Sequence, residues 1–247
     1  TVPAEDFKLV VGFDVAHRLA YIDLAKTAHW LICGATGMGK SKLLQLLIAQ
    51  IKRKGAHLTI VDWKGGLDYP VSVRGDSELV TDEETLIAKL EMLMSEMKNR
   101  RQLFLEAGVA NISEYNDRAE TPMPRYVILI DEASIILDPT GRSKSDKDKI
   151  AEILNGLNTL GRLARAYGIH LIVCTQRADV GSIPGSLKAQ LDGRMSAHAA
   201  DDQSSIVIMG DGVAAELPPI PGRFVMRDIS GRYTVFQAFL IDDIQKE

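Results

Sequence analysis

Residues 34–41 have the residue types and spacing of a phosphate-binding P-loop, G-x-x-x-x-G-K-S. Glycines at these positions let the backbone turn its N–H groups toward phosphate oxygens, and a following helix adds the positive end of its dipole. Lys40 is expected to reach the β- and γ-phosphates of a nucleotide, and Ser41 to ligate Mg²⁺. The predicted nucleotide-binding residues are Gly34, Ala35, Thr36, Gly37, Met38, Gly39, Lys40, Ser41 and Lys42.

A pair of acids, Asp131 and Glu132, follows the five-residue apolar run at 126–130. This is the Walker B pattern, in which Asp131 would hold Mg²⁺ through water and Glu132 would polarise the attacking water. A glutamate beside the aspartate favours ATP hydrolysis over a GTPase switch. The sequence therefore predicts ATP and Mg²⁺ as cofactors, with Ser41 and Asp131 on the metal.

Polar residues also follow two other apolar runs, at the ends of predicted strands. Gln176 ends the run at 170–175, where an amide could sense the γ-phosphate or orient water. Residues 62–66, Asp-Trp-Lys-Gly-Gly, follow a β-branched run at 58–61. Open α/β sheets bind ligands at the carboxyl ends of their strands, although a plain turn explains residues 62–66 equally well.

These residues need strands and helices to position them, and the chain alternates the two patterns. Short apolar runs predict strands at 30–33, 58–62, 126–130, 170–174 and 193–199, and an antiparallel hairpin at 223–227 and 232–240. Helical spacing follows the P-loop, runs from a capping box at 81–84 to Gly108, and recurs at 150–167. We expect an α/β fold with a mostly parallel sheet flanked by helices.

Length and composition set wider limits. The 247 residues fit one domain, with a lead-in segment at 1–25 and a core at 26–240. The net charge of −4 excludes a global attraction to nucleic acid, so any such contact must be local. No apolar run reaches a membrane-spanning length. Cys33 and Cys174 end predicted buried strands and are expected to be reduced core thiols in a cytoplasmic protein. Because the chain starts at Thr1, we expect it to be part of a longer protein.

Local positive charge is concentrated in residues 138–149, which we predict to form a polar loop. A solvated surface loop is an equally good explanation of this stretch. The candidate contacts to nucleic-acid phosphates are Arg142, Lys144, Lys147, Lys149, Arg177 and Lys188.

Five sequence blocks together resemble the FtsK/SpoIIIE branch of the FtsK–HerA motor ATPases. They are the P-loop with its lead-in, VDWKGG, EMKNRRQLFLEAGVANISEYN, YVILIDEAS and LARAYGIHLIVCTQR. The resemblance implies a P-loop NTPase of RecA-like fold that assembles as a homo-hexameric ring and pumps double-stranded DNA. A sister branch drives protein export in type VII secretion, which is the alternative function. Membrane attachment would come only from parts outside this chain.

The resemblance also carries roles onto single residues. Lys40, Asp131 and Glu132 match the nucleotide-hydrolysing residues, Gln176 matches the sensor, and Arg165 matches the arginine finger that acts on a neighbouring subunit. Arg162, one turn earlier, is the rival finger. Two departures weaken the match: Ala178 replaces the proline of Gln-Arg-Pro, and the acidic residues at 200–204 replace a basic DNA-facing loop. The second departure favours a protein substrate.

Overall fold

A computed structural model describes residues 7–176, 179 and 181–240. Its ten strands form one sheet in the order β2-β1-β10-β9-β8-β3-β7-β6-β4-β5. The strands are β1 (Lys8–Asp14), β2 (Leu19–Asp23), β3 (His29–Cys33), β4 (His57–Val61), β5 (Glu78–Val80), β6 (Tyr126–Ile130), β7 (Ile169–Thr175), β8 (Gly193–Ala197), β9 (Arg223–Arg227) and β10 (Tyr233–Ala238).

The six strands from β8 to β5 are parallel. Every residue of β3 and β7 is buried, which explains why both strands are continuous apolar runs rather than alternating ones. Because the strands are parallel, their carboxyl ends lie at one edge of the sheet. The predicted α/β fold with a mostly parallel sheet is confirmed.

The remaining four strands extend this sheet in antiparallel fashion. β9 and β10 form the predicted hairpin, β9 pairs with β8, and β1 pairs with both β10 and β2. Residues of the predicted lead-in thus belong to the same sheet as the core. The division at residue 25 and the single domain stay predictions.

Helices cover both faces of the sheet. They are α1 (Lys40–Arg53), α2 (Val71–Arg74), α3 (Glu83–Ala107), α4 (Ile112–Arg118), α5 (Ala133–Ile136), α6 (Lys144–Leu163), α7 (Gly185–Lys188) and α8 (Asp202–Met209). One hydrophobic cluster joins α1 to β-strand residues such as Ile32 and Ile172, and the other joins α3 and α6 to residues such as Leu31 and Val173. The alternation of neighbouring strand residues between the two clusters follows the two-residue period of a strand.

Three local predictions were wrong, each because a polar side chain caps a helix. Ser143 Oγ accepts a hydrogen bond from Asp146 N at 3.2 Å, so α6 begins at Lys144 and not near residue 150. Residues 111–116 have the composition of a loop and are predicted to form one, but Asn111 caps helix α4 there. Asp201 caps α8, so the acidic residues at 200–204 lead into a helix instead of forming a loop.

The two cysteines lie on adjacent strands, but their side chains lie on opposite faces of the sheet. Cys174 pairs with Ile32, and Cys33 pairs with Thr175, so the two cysteines are offset by one position. Both are buried and free. Burial raises the pKa of Cys33 to about 12, and it also raises the pKa of Cys174. Both thiols are therefore protonated and separated by the sheet.

Candidate nucleotide-binding site

Residues 34–39 connect the buried strand β3 to helix α1 at the carboxyl edge of the parallel strands. Gly37 and Gly39 have φ values of 83° and 92°, in the left-handed region that favours glycine. No side chain caps α1, and its first turn carries no acidic residue. The N–H groups at this helix end are thus available to an anion, as the P-loop prediction requires.

Lys40 is buried and contacts both predicted Walker B acids. Its Nζ lies 2.5 Å from Asp131 Oδ1 and 3.8 Å from Glu132 Oε2. Burial disfavours the ammonium form, yet the pKa of Lys40 is raised, and the Asp131 and Glu132 carboxylates are among the groups that favour the charged form. Residues separated by about 90 positions in the sequence therefore form one charged cluster.

Glu132 has an unusual backbone, with φ 59° and ψ 56°. A left-handed conformation in a residue with a side chain costs about 1–3 kcal/mol and is typical of functional sites. Its carboxylate accepts hydrogen bonds from Ser134 Oγ at 2.5 Å and from Thr175 Oγ1 at 3.2 Å. Gln176 N donates to it at 3.0 Å. The end of β6 is therefore bonded to the end of β7.

Gln176 also contacts the P-loop. Thr36 Oγ1 donates a hydrogen bond to Gln176 Oε1 at 3.1 Å. Lys40, Asp131, Glu132 and Gln176 thus lie in one connected group at the carboxyl edge of the sheet. Their predicted catalytic roles stay predictions, but the sequence correctly indicated that they come together.

Two residues of this group escaped the sequence analysis. Tyr69 is fully buried and donates a hydrogen bond from its hydroxyl to Asp131 Oδ2 at 2.8 Å. Burial and the Asp131 carboxylate raise the pKa of Tyr69, so its hydroxyl stays protonated. Asp68 Oδ2 accepts a hydrogen bond from Ser41 Oγ at 3.2 Å. The available signal was the polar stretch at 62–66, which ends just before them.

The P-loop backbone is also held by the antiparallel half of the sheet. Gly222 N donates a hydrogen bond to Met38 O at 2.9 Å. A Cβ atom added to Gly39 would lie 2.9 Å from Gly222 N, closer than real Cβ atoms approach. Glycine at position 39 is therefore required both by its φ value and by this close contact.

The donor set fits Mg²⁺ bound together with a nucleotide. Within the described residues, no group of three or more His, Cys, Asp or Glu side chains could hold a metal ion. Mg²⁺ usually takes one or two protein oxygens and completes its shell with water and substrate phosphates. Ser41 Oγ and the Asp131 carboxylate, beside a glycine loop and a buried lysine, are suited to that arrangement.

Comparison with known proteins identifies the family. The model of the FtsK/SpoIIIE family matches residues 2–131, which is more than half of the chain. The chain belongs to the FtsK/SpoIIIE family. DNA translocase FtsK of Chlorobaculum tepidum is 30% identical over 225 residues, covering 85% of this chain and 27% of the relative. DNA translocase FtsK of Caldanaerobacter subterraneus is 31% identical, covering 81% of this chain and 28% of the relative. The chain thus spans little more than a quarter of these FtsK proteins.

Solved structures agree with the P-loop ATPase fold. The pCW3 conjugation coupling protein TcpA, in a monomer form with ATPγS, superposes with a TM-score of 0.91 at 31% identity. That match covers 99% of this chain and 69% of the TcpA chain. The cytoplasmic domain of the type VII secretion ATPase EccC from Thermomonospora curvata superposes at 0.75 with 28% identity, covering 95% of this chain and 28% of that one. Within the described residues, no helix has the length and apolarity needed to cross a membrane.

Arg165, the predicted finger of this family member, lies outside the cluster around Lys40. It begins a short 3₁₀ turn, Arg165–Tyr167, just before β7, and it is exposed. The seven residues of β7 separate it from Gln176, a distance of roughly 20 Å. Arg162, at the end of α6, is also exposed. Neither arginine reaches the P-loop of its own chain.

The predicted nucleic-acid contacts are not gathered into one patch. Arg142 Nη1 lies 3.4 Å from Glu83 Oε1, and Lys149 forms an ion pair with Glu84. Lys144 and Lys147 are exposed in the first turn of α6, near the carboxyl edge of the sheet. Lys188 ends α7, and its carbonyl oxygen accepts a hydrogen bond from the Arg194 side chain, close to the opposite edge. Arg177 lies outside the described residues.

Proposed function

We propose that this chain is an ATP-hydrolysing motor domain that translocates double-stranded DNA. The observation that carries the proposal is the connected group of Lys40, Asp131, Glu132 and Gln176 in a member of the FtsK/SpoIIIE family. The strong structural similarity to the conjugation coupling protein TcpA supports DNA as the substrate. The candidate processes are conjugative transfer, for which TcpA is named, and chromosome segregation.

Each residue has a definite task in this proposal. Mg²⁺, when bound, neutralises phosphate charge as it develops. Lys40 binds the β- and γ-phosphates, Ser41 and Asp131 provide oxygen for the metal, and Glu132 polarises the attacking water. Gln176, which contacts both Thr36 and Glu132, connects the phosphate side of the site to the water side.

A ring of identical subunits, with six as the expected number, supplies Arg165 in trans. The exposure of Arg165 and its distance from its own P-loop support a task on a neighbouring subunit. An arginine is suited to this task because its planar guanidinium is always charged and grips phosphate oxygens.

The alternative is a motor for protein export of the type VII class. The similarity to EccC favours it, as does the net charge of −4, which offers no global attraction to DNA. A protein-export motor also needs no basic patch for DNA. The positions of Lys144 and Lys188 near opposite edges of the sheet agree with this alternative.

ATP turnover with and without double-stranded DNA tests the proposal. We expect DNA of any sequence to stimulate turnover, because contacts to phosphates carry no sequence information. The stimulation should fall as salt rises, since binding to DNA releases counterions. Turnover that ignores DNA at every salt concentration would favour the export motor. Absence of ATP turnover under all conditions would contradict both functions.

A further inference from the structure

The segment at 62–70, which connects β4 to α2, is a fixed turn beside the nucleotide site. The Asp62 carboxylate accepts hydrogen bonds from Lys64 N and Gly66 N, both at 2.9 Å. Gly65 and Gly66 both have φ values of 78°, which residues with side chains rarely adopt. Asp62 is itself buried. The direction in which the segment leaves β4 is therefore set by its own sequence.

The far end of the segment reaches both predicted magnesium ligands. Asp68 accepts a hydrogen bond from the hydroxyl of Ser41, and the adjacent Tyr69 donates one to the carboxylate of Asp131. Gln45 Nε2, on α1, donates to Asp68 O at 2.7 Å and ties this end of the segment to the P-loop helix. Two neighbouring residues thus contact the two side chains that would hold the metal.

Tyr69 determines which way the Asp131 carboxylate faces. Asp131 Oδ1 contacts Lys40, while Oδ2 is occupied by the Tyr69 hydroxyl. Tyr69 is fully buried, so water does not compete for this hydrogen bond. When Lys40 turns to phosphate, the bond to Tyr69 keeps the carboxylate plane fixed with Oδ1 toward the P-loop.

Asp68 acts through its charge. It is exposed, and its carboxylate lies 3.2 Å from the Ser41 hydroxyl. A negative charge at this distance from a metal ligand favours a divalent cation and disfavours a metal-free polyphosphate.

We propose that Tyr69 and Asp68 set the magnesium affinity of the nucleotide site. Tyr69 is a positioning residue for Asp131, and Asp68 adds negative charge beside Ser41. The inference rests on the proposed function to the extent that the site binds a nucleotide with Mg²⁺.

Calorimetric titration of the full chain with ATPγS tests the inference. The measured quantity is the magnesium gain, defined as the ATPγS Kd in EDTA divided by the Kd in saturating Mg²⁺. In Tyr69→Phe the Kd in EDTA should stay unchanged and the magnesium gain should fall roughly tenfold, because a hydrogen bond to a charged group is lost. In Asp68→Asn the Kd in EDTA should fall about threefold and the gain should also fall, because repulsion of phosphate is relieved.

Matched controls lie at the opposite edge of the sheet. Tyr126→Phe, at the start of β6, and Asp76→Asn, before β5, make the same chemical changes and should leave both values unaltered. Thermal unfolding checks that each variant is folded, and the exposed Asp68 tests the inference even if Tyr69→Phe proves unstable.

Magnesium gains within twofold of wild type in both folded variants would overturn the inference, as would tighter Mg²⁺ binding in Asp68→Asn. A wild-type chain that does not bind ATPγS with Mg²⁺ would instead contradict the proposed function. The two failures are therefore distinguishable.

Discussion

Single residues at this site could be predicted by type, but their conformations could not. The sequence predicts Glu132 from its place after an apolar run, whereas its left-handed backbone and the hydrogen bonds of its carboxylate to Thr175 and Gln176 are seen only in the fold. Tyr69 shows the other limit. The polar stretch at 62–66 indicates this loop, but it does not single out the tyrosine seven positions after Asp62, and only folding brings its hydroxyl to Asp131.

Glu132→Gln should bind ATP but turn it over slowly. The amide keeps the size of the side chain and loses the ability to polarise water, so turnover should fall by about 10²–10⁴. Single-turnover hydrolysis and nucleotide titration measure the two properties separately. Glu152→Gln, at an exposed position on α6, is the control. Turnover near wild type in Glu132→Gln would remove Glu132 from the catalytic group.

Helices and strands could be predicted where their residue pattern is clear. The predictions were wrong where polar contacts determine the start of a helix. The strands β3, β4, β6 and β7 appear as apolar runs, and α3 ends at Gly108 as predicted. The start of α6 and the whole of α4 depend on capping by Ser143 and Asn111, which resemble loop residues in sequence. The sequence also does not show which side chains connect one element to another, and Arg100 on α3 is the main example.

Arg100→Met should destabilise the fold strongly. The Arg100 side chain is 1% exposed and donates hydrogen bonds to Tyr167 O and Pro124 O, both at 2.8 Å. Its loss leaves two carbonyl groups without this partner, and the expected cost is about 3 kcal/mol. Urea unfolding measures it, with the exposed neighbour Arg101→Met as control. Equal stabilities of the two variants would show that Arg100 does not join α3 to the Arg165–Tyr167 turn.

His29, at the start of β3, should make stability depend on pH. Its Nδ1 accepts a hydrogen bond from Leu171 N at 3.1 Å, and its Nε2 has no hydrogen-bond partner in the part of the chain that the structure describes. Burial, aided by the nearby charge of Arg165, lowers the pKa of His29 from 6.5 to about 4. The unfolded chain therefore binds more protons between these values, and stability falls as pH drops from 6.5 to 4.

The variant His29→Asn keeps an acceptor near Leu171 N and does not titrate. In the wild type, His29 should lower the free energy of unfolding by about 3 kcal/mol between pH 6.5 and pH 4. This part of the decrease should be absent in His29→Asn. Urea unfolding across this range measures the slope. Identical slopes for wild type and His29→Asn would show that His29 is not the buried group that becomes charged.

At the scale of the whole molecule, the parallel half of the sheet was predictable and its continuation was not. Alternating strands and helices indicate a parallel sheet, but nothing local shows that β1 and β2 join β10 at its antiparallel edge. Arg165 belongs to this scale as well. Its proposed task as a finger requires a neighbouring subunit at the far end of β7.

Mixed assemblies test Arg165 as a residue that acts in trans. Arg165→Ala should bind ATP normally and turn it over about 10³–10⁵ times more slowly. Adding Lys40→Ala chains, which retain Arg165 but cannot hydrolyse ATP, should restore part of the activity, since some interfaces then pair an intact arginine with an intact P-loop. ATP turnover across mixing ratios measures the rescue, and Arg162→Ala, which tests the rival finger, should turn over ATP at close to the wild-type rate. Assemblies that form without any rescue would count against Arg165.

The bond from Gly222 to Met38 has a consequence for how this chain can be shortened or interrupted. Residue 222 precedes the β9–β10 hairpin and lies far along the sequence from the P-loop, so it resembles a convenient place for a cut or a new terminus. Such a cut would remove the hydrogen bond that holds the P-loop backbone and the close packing of Gly222 against Gly39. Fragments that stop before the hairpin would retain every motif of an ATPase but would lose the Gly222 contact that supports the P-loop.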